Sequence, residues 1–197
     1  MPAVALPVSK PAEARLYTVE EFMMMDFDER VELVDGKIKR MGWNNIIHAR
    51  LVSWLSRIIG NWASESGWGI ILGGDAGIRT KRANTARGAD VVCISFERYA
   101  KVGEKGKVID LGPELIIEVM SPSNTWNDIN DKLAEYFDLD AGEVWVVSPD
   151  HRKITVFDTE KSSRSYTAAD DERLTSQQLP GFELVLKDMA REIDQLL

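Results

Sequence analysis

Residues 114–137 read ELIIEVMSPSNTWNDINDKLAEYF, and the fold turns on how Glu118 is accommodated. Leu115, Ile116, Ile117, Val119 and Met120 form the most apolar β segment of the chain, with a carboxylate in its middle. An ionised group buried without a partner is costly, so Glu118 requires a salt bridge, a proton or a metal ion. The turn Ser121-Pro122-Ser123 follows, and helical spacing then predicts a helix over about 127–138 carrying Ile129, Leu133, Tyr136 and Phe137 on one arc. Gly142 stops that helix, and EVWVVS (143–148) reads as a second buried strand. Strand, helix and strand make a β-α-β crossover, expected to be parallel and right-handed.

Working outward, Thr18-Val19-Glu20-Glu21 matches a capping box and predicts a short helix over 19–25. RVELVDGKIKRM, turning at Asp35-Gly36, predicts a hairpin built on Val31, Leu33 and Ile38. From Asn45, Ile47, Leu51, Trp54, Leu55, Ile58, Ile59 and Trp62 recur at helical spacing, the strongest helix pattern in the chain. Three strands are expected near 68–72, 76–80 and 89–95, with the polar loop KRANTARG before the last. The Gly- and Lys-rich stretch 101–113 reads as an exposed connection. RKITVFD and RSYTA form a further strand pair, and LPGFELVLKDMAREIDQLL a short strand and a helix bearing Met189, Ile193 and Leu197. The sum is an α/β or α+β domain whose mixed sheet is flanked by helices.

A chain of 197 residues suits one domain, with 1–16, which holds Pro2, Pro7 and Pro11, as a flexible arm and 17–197 as the domain. Its apolar runs are too short to cross a bilayer, and its start lacks a secretory pattern, so a cytoplasmic protein is expected. Cys93, the only cysteine, lies in an apolar run and reads as a buried structural thiol. The net charge of −8 argues against coating nucleic acid through the whole surface. It leaves room for a local basic patch, or for acids whose charge is offset by metal.

Asp90 opens the apolar strand Val91 to Ile94, and Glu118 lies in the next long strand. If the two strands are neighbours, the carboxylates approach each other and cannot both ionise cheaply unless a cation lies between them. Hard ions such as Mg²⁺ take one or two carboxylates plus water and phosphate, and the Val119 backbone carbonyl could add a ligand. On the following helix Asp128, Lys132 and Tyr136 stand at successive i, i+4 steps. Lys132 flanks the apolar arc, from which its amine could reach the strand bearing Glu118. Plainer readings exist for each: an Asp128–Lys132 surface pair, an arginine partner for Glu118, and backbone capping by Asp90.

GAD at 88–90, ELIIEVMSPS, and the D-x-x-x-K-x-x-x-Y pattern of 128–136 together resemble the bacterial "putative restriction endonuclease" family of the PD-(D/E)XK nuclease-like superfamily. VELVDGKI (31–38), GEVWVVSPD (142–150) and LPGFEL (179–184) extend the resemblance from about Tyr17 to Met189. It implies a restriction-endonuclease-like sheet and a Mg²⁺-dependent (or Mn²⁺-dependent) endonuclease acting on DNA, double-stranded by expectation. Asp90 and Glu118 correspond to its metal-binding acids, Lys132 to its catalytic lysine and Glu32 to an additional acid. The chain departs from the superfamily pattern at Met120, where a lysine is usual, and at Ala89, where proline is usual. Lys132 then takes the missing lysine's role from the helix.

Arg79, Lys81, Arg82 and Arg87 form a basic cluster before Asp90, either a phosphate-contacting loop or a solvated hairpin balancing an acidic protein. His48 reads as a packed or hydrogen-bonded histidine of the long helix, and Trp126 as a packing residue beside the site. A homodimer is expected, since nucleases often use two copies to cut two strands. The contrasting reading is a nuclease-fold protein without cleavage activity that serves as a binding or assembly module.

Overall fold

The computed structural model describes residues 15–103, 107–122, 124–169 and 173–197. Most of the expected arm 1–16, and Ser123 of the expected turn, lie outside the described residues.

The chain opens with α1 (Val19–Met23), started by the Thr18–Glu21 capping box. The hairpin β1 (Val31–Val34) and β2 (Lys37–Arg40) follows, with Asp35 and Gly36 at positive φ as its turn demands. Helix α2 (Ile46–Ser66) begins at Asn45, whose side chain accepts the His48 amide, and ends at Gly67 in the left-handed conformation. Next come β3 (Gly69–Arg79), β4 (Ala86–Ser95), the short α3 (Phe96–Tyr99) and β5 (Leu115–Val119). Helix α4 (Trp126–Asp138) leads to β6 (Glu143–Ser148), β7 (Lys153–Thr159) and β8 (Ser162–Thr167). β9 (Leu174–Thr175) and β10 (Glu183–Leu184) form a separate small sheet before α5 (Leu186–Asp194).

Eight strands form one mixed, mostly antiparallel sheet in the order β2-β1-β4-β5-β6-β7-β8, with β3 also paired to β4. Only β5 and β6 are parallel among the paired strands, as the intervening helix α4 predicts. On one face Val91, Ile117 and Trp145 pack with Leu51, Leu55 and Ile59 of α2 and Met189 of α5. On the other, Val92, Ile116, Val144 and Val146 pack with Ile129, Leu133 and Tyr136 of α4. The near-continuous apolar runs of β4, β5 and β6 follow from burial on both faces.

Several elements differ from expectation. The two strands expected near 68–72 and 76–80 are the single strand β3, whose register shifts between Gly73 and Ala76. A bulge there, with Gly74 and Asp75 at positive φ, keeps the strand paired while re-aiming Asp75. The stretch 101–113 is not simply an exposed connection. Val102, Val108 and Ile109 are buried, and Ile109 bonds through its backbone to Gly77 and Arg79, covering the edge of β3. Helix α5 ends at Asp194, so Leu197 lies beyond it and is exposed.

β3 runs along one edge of β4 for its whole length, while the opposite edge is divided between two strands. β5 pairs with Val91–Cys93 and β1 with Ala86. Between those partners Gly88 has its backbone groups open to side chains.

Candidate active site

The β4–β5 ladder ends at the Val91–Ile117 pair, which brings Asp90 and Glu118 together at its end. Both carboxylates are buried, at 6% exposure each. Three elements meet at the gap in the β4 edge: β1 brings Glu32, β5 brings Glu118 and α4 brings Lys132. Glu32 Oε1 accepts the Gly88 amide at 3.2 Å, and Lys132 Nζ donates to the Gly88 carbonyl at 3.1 Å. Side chains thus complete the hydrogen bonding that a continuous neighbouring strand would supply.

Lys132 is the hub. Its ammonium donates to Glu118 Oε2 at 2.9 Å and Oε1 at 3.0 Å, and lies 3.3 Å from Glu32 Oε1. Burial works against its charge, but Glu118, Glu32 and Asp90 outweigh this and raise its pKa, keeping it protonated. Asp128 does not pair with it. Asp128 caps α4 through Thr125 and accepts Lys39 Nζ at 2.7 Å, which lowers its own pKa to about 2. Lys132 is therefore free to turn inward, one helical turn on.

Glu118 has a second partner, Tyr136, whose hydroxyl donates to Oε1 at 2.6 Å. Burial nevertheless pushes the Glu118 pKa up to about 7; Lys132 opposes the shift and the charge of Asp90 reinforces it. The buried groups here are the carboxylates Glu32, Asp90, Glu118 and Glu135 against the cations Arg87 and Lys132. Negative charge is in surplus, and a proton on Glu118 or a bound cation relieves it.

The sign of the pH dependence follows. Glu118 has a higher pKa folded than unfolded, so the folded state holds a proton that the unfolded state releases between about pH 4.5 and 7. The stability of metal-free protein falls as pH rises through that window, by up to about 3 kcal/mol from this group at ~1.4 kcal/mol per unit. Chemical denaturation of Glu118→Gln across the same window should show a correspondingly flatter profile. Equal slopes for the two proteins would refute the raised Glu118 pKa.

Asp90 is held differently. Its Oδ2 accepts the Val119 amide at 2.8 Å and contacts His48 Nε2 at 3.2 Å. With Asp90 ionised, Nε2 carries the hydrogen and donates it. Among the described residues, no group of three or more His, Cys, Asp or Glu forms a metal cage. Asp90, Glu118 and the Val119 carbonyl offer instead the sparse, hard oxygen set that suits a hydrated divalent ion. The charge surplus fits such an ion as well.

The basic cluster is spent on internal ion pairs. Arg87 is turned inward rather than toward a phosphate: it grips Glu135 with two bonds of 2.6 and 2.7 Å and Glu32 with one of 3.1 Å. Burial opposes its charge, but Glu135 and Glu32 raise its pKa well above the ordinary value. Arg82 pairs with Asp35 and Glu135, Arg79 with Glu20, and Lys81 with Asp140. In sequence these residues stand free of acids; their partners come from elements distant in the chain. The partners of Tyr136 and Glu135 are equally hidden, although Tyr136 stands one helical turn beyond Lys132, whereas His48 is the buried, hydrogen-bonded histidine its sequence context suggests.

The fold is of the nuclease-like kind. The crystal structure of a putative nuclease of the DUF820 family from Anabaena variabilis has a similar fold, with a TM-score of 0.77. The likeness covers 89% of this chain and 98% of that one at 15% sequence identity. The model of the family described as "Putative restriction endonuclease" (Uma2) matches residues 19–187, and the chain belongs to that family. No curated protein matches the chain significantly. Among the described residues no helix is long and apolar enough to cross a membrane.

Proposed function

We propose that the protein is a divalent-metal-dependent endonuclease that hydrolyses phosphodiester bonds in DNA, with Asp90, Glu118 and Lys132 as its reactive centre. The observation that carries this reading is the surplus of buried carboxylates around a fully engaged Lys132, at a site on the rim of a cleft containing Asp90 and His48. Asp90, Glu118 and the Val119 carbonyl would hold Mg²⁺ or Mn²⁺. When bound, the ion would polarise the scissile phosphate and acidify a water molecule.

The chain's own groups have definite tasks. His48 and the Val119 amide both bind Asp90 Oδ2, which leaves Oδ1 as the oxygen available to a ligand. Tyr136 and Lys132 orient Glu118, so its carboxylate loses little freedom when it acts. Lys132 stays charged and, through its field, would stabilise negative charge growing on phosphate oxygens. Glu32, held by Arg87 and the Gly88 amide, anchors the lysine from behind. Met120, where the superfamily pattern has a lysine, is half-buried and accepts a weak contact from Ser148, so the helix alone supplies the cation.

Supercoiled plasmid incubated with Mg²⁺ or Mn²⁺ tests the reading, with chelator as control. Nicking or linearisation that requires the ion is expected, and calorimetry should show ion binding that Asp90→Asn weakens at least tenfold. Ion binding without cleavage would favour the non-cutting binding module. We further infer a homodimer, which sedimentation of the intact chain would show.

A further inference from the structure

Two clefts adjoin beside Asp90. One, of about 370 Å³, is lined by Asp90, His48 and Ser56 together with Asn44 and Asp75. The other, of about 530 Å³, is lined by Asp28, Glu29, Arg30 and Trp43 and shares Asn44 and Asp75 with the first. They form one path from the candidate reactive centre to Trp43.

Unsatisfied polar groups concentrate along that path. The buried side-chain atoms without a hydrogen-bond partner among the described residues are Arg30 Nε, His48 Nδ1, Ser56 Oγ and Glu192 Oε2. Glu192 is ion-paired with Arg50, so the three without an ion pair at the stated atom all belong to residues lining the path. Folded proteins rarely leave such groups unpaired, so water or a ligand completes them. Trp43, at the far end, is 100% exposed. Among the described residues nothing packs against its indole. Arg30 is held across the mouth by Asp75, the residue that the β3 bulge re-aims at positive φ.

The substrate's chemistry follows from what the path lacks. The cations expected to clamp phosphates are ion-paired within the protein, and the chain is acidic overall. Affinity for a polyanion then has to come largely from stacking, which tolerates any base but requires that base to be unpaired. We propose that this path seats the DNA strand flanking the scissile phosphate, with an unstacked base on Trp43. This deepens the endonuclease reading and rests on it. It narrows the substrate to single-stranded DNA or duplex locally opened at the site.

The test uses the intact chain, a labelled oligodeoxythymidine and the same strand in duplex, with chelator present so that nothing is cut. The single strand should bind more tightly, quench tryptophan fluorescence, and show a shallow dependence on salt. Trp43→Ala, at a fully exposed position, should weaken single-strand binding on the order of 10-fold or more, and Trp43→Phe should restore most of it. Equal affinity in wild type and Trp43→Ala, or no binding of either oligonucleotide by wild type, overturns the proposal. So does a Trp43→Ala protein that loses self-association while keeping its affinity, since a second copy then covers the indole. Failures of the two readings are distinguishable. Ion-dependent cleavage that Trp43→Ala leaves intact removes this subsite and keeps the endonuclease. Trp43-dependent binding without cleavage keeps the subsite and removes the endonuclease.

Discussion

Glu118→Gln lowers ion-dependent DNA cleavage on the order of 10³-fold, equivalent to about 4 kcal/mol of transition-state stabilisation, while leaving the fold intact. The substitution preserves shape and removes only the charge. Its neighbours Lys132 and Tyr136 can still donate to the remaining carbonyl oxygen, so packing between β5 and α4 persists. Above about pH 7 the variant should be at least as resistant to denaturant as wild type, because the buried charge is gone. Asp90→Asn should cause a comparable loss of activity. Loss of cleavage with retained stability assigns the carboxylate to chemistry. Wild-type cleavage rates in both variants would remove Asp90 and Glu118 from the site, whatever else the protein does.

The second large effect concerns stability. Arg87→Met should destabilise the protein by roughly 3–5 kcal/mol, the range for removing one partner of a buried ion pair. Glu32 and Glu135 would be left buried, with Lys132 and the partly exposed Arg82 as their remaining cations. For a domain of this size the melting temperature should fall by roughly 10 °C. Adding Glu135→Gln to Arg87→Met should recover part of the loss, since the new side chain no longer needs a counter-charge. A thermal melt that Arg87→Met leaves unmoved would show that the network does not bind α4 to the sheet. Arg87→Met therefore probes the support behind the site, whereas Glu118→Gln probes the site itself.

Much of the architecture is legible from local pattern. The helical spacing of Leu51, Leu55 and Ile59 corresponds to α2, and the continuous apolar runs 91–94, 115–119 and 143–148 correspond to strands buried on both faces. The crossover through α4 implies the parallel pairing of β5 and β6. These readings hold because apolar periodicity reports which faces leave water, the largest favourable contribution to folding. Less legible was the stretch 101–113, where Val102, Val108 and Ile109 sit among glycines and lysines that read as solvent-exposed. The bulge in β3 was missed because a glycine pair interrupts an apolar run as a turn does.

For the site, the residue types were visible and their partners were not. Apolar patterning alone places Glu118 in a buried strand that needs compensation, and Lys132 on a helix able to reach it. The order of acids and lysine that resembles a nuclease family is likewise in the sequence. Which compensation Glu118 receives is settled by the fold: Lys132 and Tyr136 from α4, with Asp90 alongside. The same fold turned Arg87 from an apparent surface cation into a buried clamp on Glu32 and Glu135. The physical reason is that hydrophobic burial is written in local periodicity, whereas ion pairing depends on charges brought together from distant parts of the chain. Glu32 and Arg87 are 55 residues apart in sequence and 3.1 Å apart in space.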